Sequence, residues 1–203
     1  MQQIEELLRD LDRSWPFRPI QPTTLRVIGS TALFLQSEYN RGTKDGDILE
    51  THEITVEVAD ALRRLAGPGT LLHKRHRIYL EVLASPIPFL PEAPIWHAVG
   101  SFTPALAHFQ IEALDIVDVV VSKLARFHSP DREDIAAMVE RDLVEPAVFT
   151  ARFRSAVQRW WHDARAEELP RIVRNFHQIQ TDELFVGESA IELPSWIDAD
   201  ELG

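Results

Sequence analysis

Apolar positions recur along this chain first at mixed periods and then at one helical period. Residues 1–12 (MQQIEELLRDLD) repeat apolar side chains at helical spacing and predict a short amphipathic helix. Three prolines within RSWPFRPIQPTT end it. Residues 25–28 form a short apolar, β-branched run that predicts a buried strand, broken at Gly29-Ser30. Residues 31–39 (TALFLQSEY) resume helical spacing, with Leu33 and Leu35 facing inward. After a turn over 40–45, residues 47–50 are extended, and Thr51 is placed to cap a helix over 53–65 that closes at Gly67-Pro68-Gly69. Residues 77–84 (RIYLEVLA) alternate Ile78, Leu80 and Val82 on one face with Tyr79, Glu81 and Leu83 on the other, as a strand does. Four prolines make 85–94 an irregular connection, and 107–111 predict a later strand.

From Asp115 onward the pattern is helical only. Helices are predicted over 115–127, over 131–141 with Ser129 as cap and Pro130 at the first position, over 147–165 and over 168–178. No internal repeat is present. The sequence therefore predicts an α/β (α+β) domain over 1–112, a helical part over 113–180 packed on it, and a tail over 181–203.

Charge and composition narrow the functions. The 203 residues carry a formal net charge of −11, which argues against a protein that coats duplex DNA by neutralising phosphates. Seven acidic residues and no Lys or Arg fall in the tail, so the rest of the chain carries only −4. That tail, with Phe185, Ile191 and Trp196, reads either as a solvated end or as an arm that binds a partner. No cysteine is present, which removes a disulfide framework, a thiolate metal site and a cysteine nucleophile. The acidic N-terminus is unlike a secretory signal, and no apolar run approaches a membrane span, so a cytoplasmic protein without a membrane partner is expected. The eight histidines show no zinc-binding spacing, and Trp160 and Trp161 read as packing residues.

The segment that suggests chemistry is VIGSTALFLQSEYNRGTKDGDIL, residues 27–49. In an extended chain Asp45 and Asp47 project to one face, where two like charges repel unless a cation lies between them. Mg²⁺ suits such a pair, because it takes one or two carboxylates and completes its shell with phosphates and water. Gly29-Ser30, between a strand and a helix N-terminus, can receive a nucleotide phosphate on backbone N–H groups. Without that context, Asp45-Gly46-Asp47 reads as a simple turn.

Strand, Gly-Ser, helix and Arg-x-Thr-x-Asp-x-Asp, carried by Gly29, Ser30, Arg41, Thr43, Asp45 and Asp47, resemble the signature of the DNA polymerase beta-type nucleotidyltransferase superfamily. The resemblance is specifically to small bacterial nucleotidyltransferase-like proteins akin to abortive-infection and minimal-nucleotidyltransferase toxins. A second stretch, Asp118 to Lys123 and Arg126 followed by Asp131-Arg-Glu-Asp134-Ile, is similar to the family's lysine helix and the motif after it. Together they cover residues 25–140.

The resemblance implies a nucleotidyltransferase-like mixed sheet flanked by helices, with Asp45 and Asp47 binding Mg²⁺ and a third carboxylate on a neighbouring strand. Glu81 is the candidate for that third place, as metal ligand and general base, against the plainer reading of an exposed strand-face glutamate. Gly29, Ser30, Arg41, Thr43 and Lys123 are the candidate nucleotide-binding residues; for Arg41 a turn cap, and for Lys123 an ion pair with Asp118 or Asp134, are the alternatives. Gly46 stands where the family usually has an apolar residue, and marks a weakened strand or a bulge. The expected activity is transfer of an NMP group from an NTP, with ATP the expected donor, to a hydroxyl on a protein, a tRNA end or a small molecule. A toxin partnered by an antitoxin is the biology the resemblance implies. The alternative is a catalytically inactive module of the same fold that binds a nucleotide or a protein.

Overall fold

A computed structural model describes residues 3–18, 21–39, 41–83, 88–100, 102 and 105–197. The chain divides into two compact units, Met1–Pro86 with Trp96–Leu114, and Ile87–Ile95 with Asp115–Gly203.

The first unit contains α1 (Gln3–Arg13), β1 (Thr23–Ile28), α2 (Gly29–Gln36), β2 (Asp45–Leu49), α3 (Val56–Ala66), α4 (Leu71–His76), β3 (Tyr79–Leu83), β4 (Trp96–Ala98) and β5 (Phe109–Leu114). The strands make one mixed sheet in the order β3-β2-β1-β5-β4. β1 runs antiparallel to β2 and parallel to β5, while β2 and β3 are parallel and β4 and β5 antiparallel. This is the mixed sheet with flanking helices that the sequence predicts.

Alternation along the strands gives the sheet two unlike faces. Leu25, Val27, Ile48, Leu80, Ile111 and Ala113 are all buried on one of them. The stripe Ile4, Leu7, Leu8 and Leu11 of α1 is buried too, and Ile4 reaches β2 at Gly46. Asp12, at the end of that stripe, accepts from the backbone N–H groups of Ala107 and His108 and so ties the approach to β5 onto α1. The opposite face carries Arg26, Asp45, Asp47, Tyr79, Glu81 and Glu112, none of them fully buried.

Several boundaries differ from expectation for identifiable reasons. Asp45-Gly46-Asp47 is not a turn: it forms the first half of β2, in unbroken register with Tyr79–Leu83 and without a bulge. The cap of α3 is Thr55, whose hydroxyl accepts from the N–H of Val58, rather than Thr51. α4 and β4 are not predicted by the pattern: the first is six residues long with only Leu72 and His76 buried, and the second is a three-residue, largely exposed edge strand. Asn40, residues 84–87 and residues 198–203 lie outside the described residues, and with them parts of the predicted turn, proline connection and acidic tail.

The second unit contains α5 (Ile116–Lys123), α6 (Ser129–Val139), α7 (Pro146–Trp160), a single 3-10 turn (Ala166–Glu168) and α8 (Leu169–Asp182). Its core centres on Phe153 and Phe176, stacked with ring centroids 4.0 Å apart, with Phe89 edge-on to Phe153 and Trp160. α6 begins earlier than expected, with Ser129 inside the helix and His128 at the cap position, because Asp131 accepts from the His128 N–H. Asp118 is fully buried; it accepts from Arg152 at two atoms and from the N–H of Ile95, while Arg152 also donates to the Ala93 carbonyl. The described part of the tail is anchored at a few points, where Gln180, 1% exposed, exchanges hydrogen bonds with Ser189 and Arg154 donates to the Ala190 carbonyl, while Phe185 and Trp196 stay exposed. No helix among the described residues is long and apolar enough to cross a membrane.

Candidate active site

β1 ends at Ile28 and the chain turns directly into α2 at Gly29, which has a φ of +64° that side-chain-bearing residues rarely adopt. A β-carbon there would lie 3.0 Å from Oδ2 of Asp47, so the glycine serves both the turn and the approach of that carboxylate to the helix start. Ile28, at the cap position, offers no side-chain cap, and no acidic residue occupies the first turn of α2. The positive end of the helix therefore meets the Asp47 carboxylate.

Asp47 is paired in register with Ile28 on one side and with Glu81 on the other. Since parallel partners in register project to the same face, Asp45, Asp47 and Glu81 share one surface of the sheet, with Tyr79 beside Asp45. The three carboxylates act on Tyr79. Burial, and after it the negative charges of Asp45, Glu81 and Asp47, push the Tyr79 phenol above its ordinary value. Gly46, between the two aspartates, points to the apolar face, where a β-carbon would meet Leu80 Cδ2 at 3.0 Å and Ile4 Cδ1 at 3.3 Å. Its neighbours occupy the volume that an apolar side chain would take, so the strand stays regular despite the glycine.

The loop before β2 is built around Asp45. Thr43 Oγ1 donates to Asp45 Oδ1 at 2.8 Å, and Thr31 Oγ1, from the first turn of α2, donates to the Asp45 carbonyl at 2.9 Å. Arg41 Nη2 donates to Ser30 Oγ at 3.0 Å, which holds a guanidinium over the start of α2. Six of the expected residues, Gly29, Ser30, Arg41, Thr43, Asp45 and Asp47, thus form one connected cluster, with Glu81 in register next to it. Thr31 is not among the residues that the sequence pattern singles out; its position in the first turn after Gly29-Ser30 is the signal that points to it.

Lys123 lies in the second unit, where its ammonium is 5% exposed and pairs with Asp134 at 2.8 Å and Asp131 at 3.3 Å. Asp131 also takes two hydrogen bonds from Arg126. Asp118, the other partner considered for Lys123, is engaged by Arg152 instead.

The donor set facing Asp47 is oxygen only, which suits a hard cation such as Mg²⁺. Among the described residues, no three His, Asp or Glu side chains, Asp45, Asp47 and Glu81 included, are grouped so as to hold a metal ion. Mg²⁺ does not require such a group, because substrate phosphates and water complete its shell around one or two carboxylates. The fit is thus confined to the carboxylate pair of Asp47 and Glu81, adjacent in register.

No curated protein and no solved structure matches the chain. One family model matches residues 3–181, which is most of the chain and includes every residue of the cluster. By that match, this chain belongs to the family described as nucleotidyltransferases of unknown function (DUF6036).

Proposed function

We propose that the cluster on β2, β3 and the start of α2 is a Mg²⁺-dependent nucleotidyl-transfer site of the DNA polymerase beta type. The observation that carries this is the register pair Asp47 and Glu81, two carboxylates side by side on a sheet face, next to a helix start whose glycine leaves Asp47 3.0 Å of approach. Asp47, with Asp45 or Glu81 beside it, would hold the cation, which when bound would neutralise phosphate charge and align donor and acceptor.

The chain's own groups divide the remaining work. Backbone N–H groups at Gly29 and Ser30, with the Ser30 hydroxyl and the Arg41 guanidinium bonded to it, receive the triphosphate. Thr43 and Thr31 fix Asp45 by hydrogen bonds to its carboxylate and its carbonyl. Glu81 takes the proton of the attacking hydroxyl. The acceptor oxygen then bonds to the α-phosphorus, the bond from that phosphorus to the pyrophosphate oxygen breaks, and pyrophosphate leaves with the electron pair. Holding donor and acceptor in line is the larger part of such catalysis.

The test is incubation of the full chain with Mg²⁺, each α-phosphate-labelled NTP and cell extract. Transfer of label that disappears in D45A and D47A supports the proposal, with ATP the expected donor. Equal labelling by wild type and variants overturns it, and NTP binding with no transfer in the wild type favours the inactive binding module. The toxin role is tested separately, by growth arrest on expression that D47A relieves and a co-expressed antitoxin suppresses.

A further inference from the structure

Trp161 follows α7 in helical conformation, and its indole Nε1 is buried with no hydrogen-bond partner among the described residues. Buried N–H groups are almost always paired, and leaving one unpaired costs its full desolvation, so this donor marks a place where a partner belongs. Trp161 lines a cavity of about 370 Å³ within the second unit, together with Arg154, Val157 and Gln158 of α7 and residues 190–192 of the tail. That volume lies in the range of small-molecule sites.

The cavity has an order along α7. Arg154, Gln158 and Trp161 follow one another at helical spacing and stand on one face, and at 1.5 Å per residue the first lies about 10 Å from the last along the axis. The other wall is the tail, whose direction is set by hydrogen bonds. Gln180 donates to Ser189 and to Thr150 of α7, and one residue after Ser189 the Ala190 carbonyl accepts from Arg154 Nη2. The tail thus passes α7 in the chain direction of the helix, and Ile191 and Glu192 continue from Arg154 toward Trp161. Arg154 spends Nη2 on the tail, while its other guanidinium nitrogens and the side chains of Gln158 and Glu192 make no hydrogen bond or ion pair among the described residues. A cation therefore stands at one end, an acid and a buried donor stand toward the other, and Val157 and Ile191 lie between them.

We infer that this cavity binds a short free peptide, its carboxylate at Arg154, its amino group at Glu192 and one of its carbonyls accepting from Trp161 Nε1. The inference does not depend on the nucleotidyl-transfer reading. An extended residue spans roughly 3.3–3.6 Å, so about three residues match the length of the helix face, whereas the two charges of a single amino acid are too close together to reach both ends. A polyphosphate is unsuited, because Glu192 repels it where a ligand donor is needed. A guanidinium that meets a carboxylate, and a carboxylate that meets an ammonium, make charge-assisted hydrogen bonds. Val157 and Ile191 receive an apolar side chain at the middle residue.

The test titrates the tripeptide Ala-Leu-Ala into the full chain and follows the Trp161 indole N–H by nuclear magnetic resonance, the signal being assigned by its loss in W161F. The signal is expected to shift and to saturate with a Kd of about 1 mM or tighter. The N-acetylated and the C-amidated tripeptides, each lacking one charge, are expected to bind about tenfold more weakly or worse. E192Q is expected to weaken the free tripeptide about tenfold and the acetylated one less than about twofold, because both changes remove the same contact. Since the blocked peptides alter only the ligand, their effect does not depend on how any variant folds. A Kd weaker than about 1 mM, which leaves the indole N–H to solvent, overturns the inference. Equal binding of the free and blocked tripeptides, or an equal effect of E192Q on both, overturns it as well.

Discussion

Gly29 and Asp47 are matched to each other: the missing β-carbon of the one leaves the 3.0 Å that Oδ2 of the other occupies. Gly29→Ala combines a φ of +64° with a methyl group pressed on that carboxylate. It is expected to cost about 1–2 kcal/mol of stability from the backbone alone. Displacing Asp47 is expected to lower transfer about a hundredfold, by the sensitivity of such sites to small misplacements. Urea unfolding and a transfer assay on the same protein check both, and wild-type activity in G29A would show that the carboxylate position is not used.

Gly46 gives a prediction of the opposite kind, about packing alone. A β-carbon at this position would meet Leu80 Cδ2 at 3.0 Å and Ile4 Cδ1 at 3.3 Å, so Gly46→Val is overpacked. It is expected to lose about 1–3 kcal/mol, with G46A losing less. If Gly46 were a flexible weak point in the strand, either substitution would raise the unfolding midpoint.

Asp118 and Arg152 test the second unit. Asp118 is fully buried and its charge is met by Arg152, so R152A leaves it uncompensated and is expected to destabilise by about 3–5 kcal/mol. The double variant R152M/D118L, which removes both charges, is expected to recover part of that loss. Thermal unfolding of the three proteins decides it, and a mild effect of R152A would mean that water reaches Asp118.

How much of this is legible in the sequence varies with the length of the signal. The strands β1 and β3 and the helices from α5 onward are readable because each carries several apolar positions at one period, whereas β2 has only the adjacent Ile48 and Leu49 and shows itself as an extended run after a turn. α4 and β4 are not: six residues with two buried, and three residues with none, are too short for periodicity to register. In the site, Asp45, Asp47, Gly29 and Glu81 are readable from spacing and resemblance, but the register that sets Asp47 against Glu81 is long-range and no local pattern encodes it. Lys123 shows the same limit, since acids compatible with a salt bridge flank it on both sides in sequence and only packing assigns it to Asp134 and Asp131 rather than to Asp118.

The Lys123 cluster sets a pH dependence. Burial pushes the Asp131 carboxyl up, but hydrogen bonds from Arg126, the charges of Lys123 and Arg126 and the His128 N–H outweigh it and hold the group below its ordinary 3.8. A carboxylate lowered on folding stabilises the protein fully above its unfolded value, and that contribution fades as pH falls through the lower folded value. Unfolding free energy is therefore expected to drop below about pH 4. D131N is expected to be less stable at neutral pH and to show a shallower acid slope, and an unchanged slope in D131N would assign the acid loss to other groups.

The central claim is that the acids on β2 and β3 move the α-phosphoryl group of an NTP, and the position of the label tests it most directly. With NTP labelled at either the α- or the γ-phosphate, Mg²⁺ and cell extract, wild-type protein is expected to transfer the α-label and release the γ-label as pyrophosphate. D47N and E81Q are expected to do neither. Transfer of the γ-label, or α-label transfer by D47N at the wild-type rate, would contradict the account.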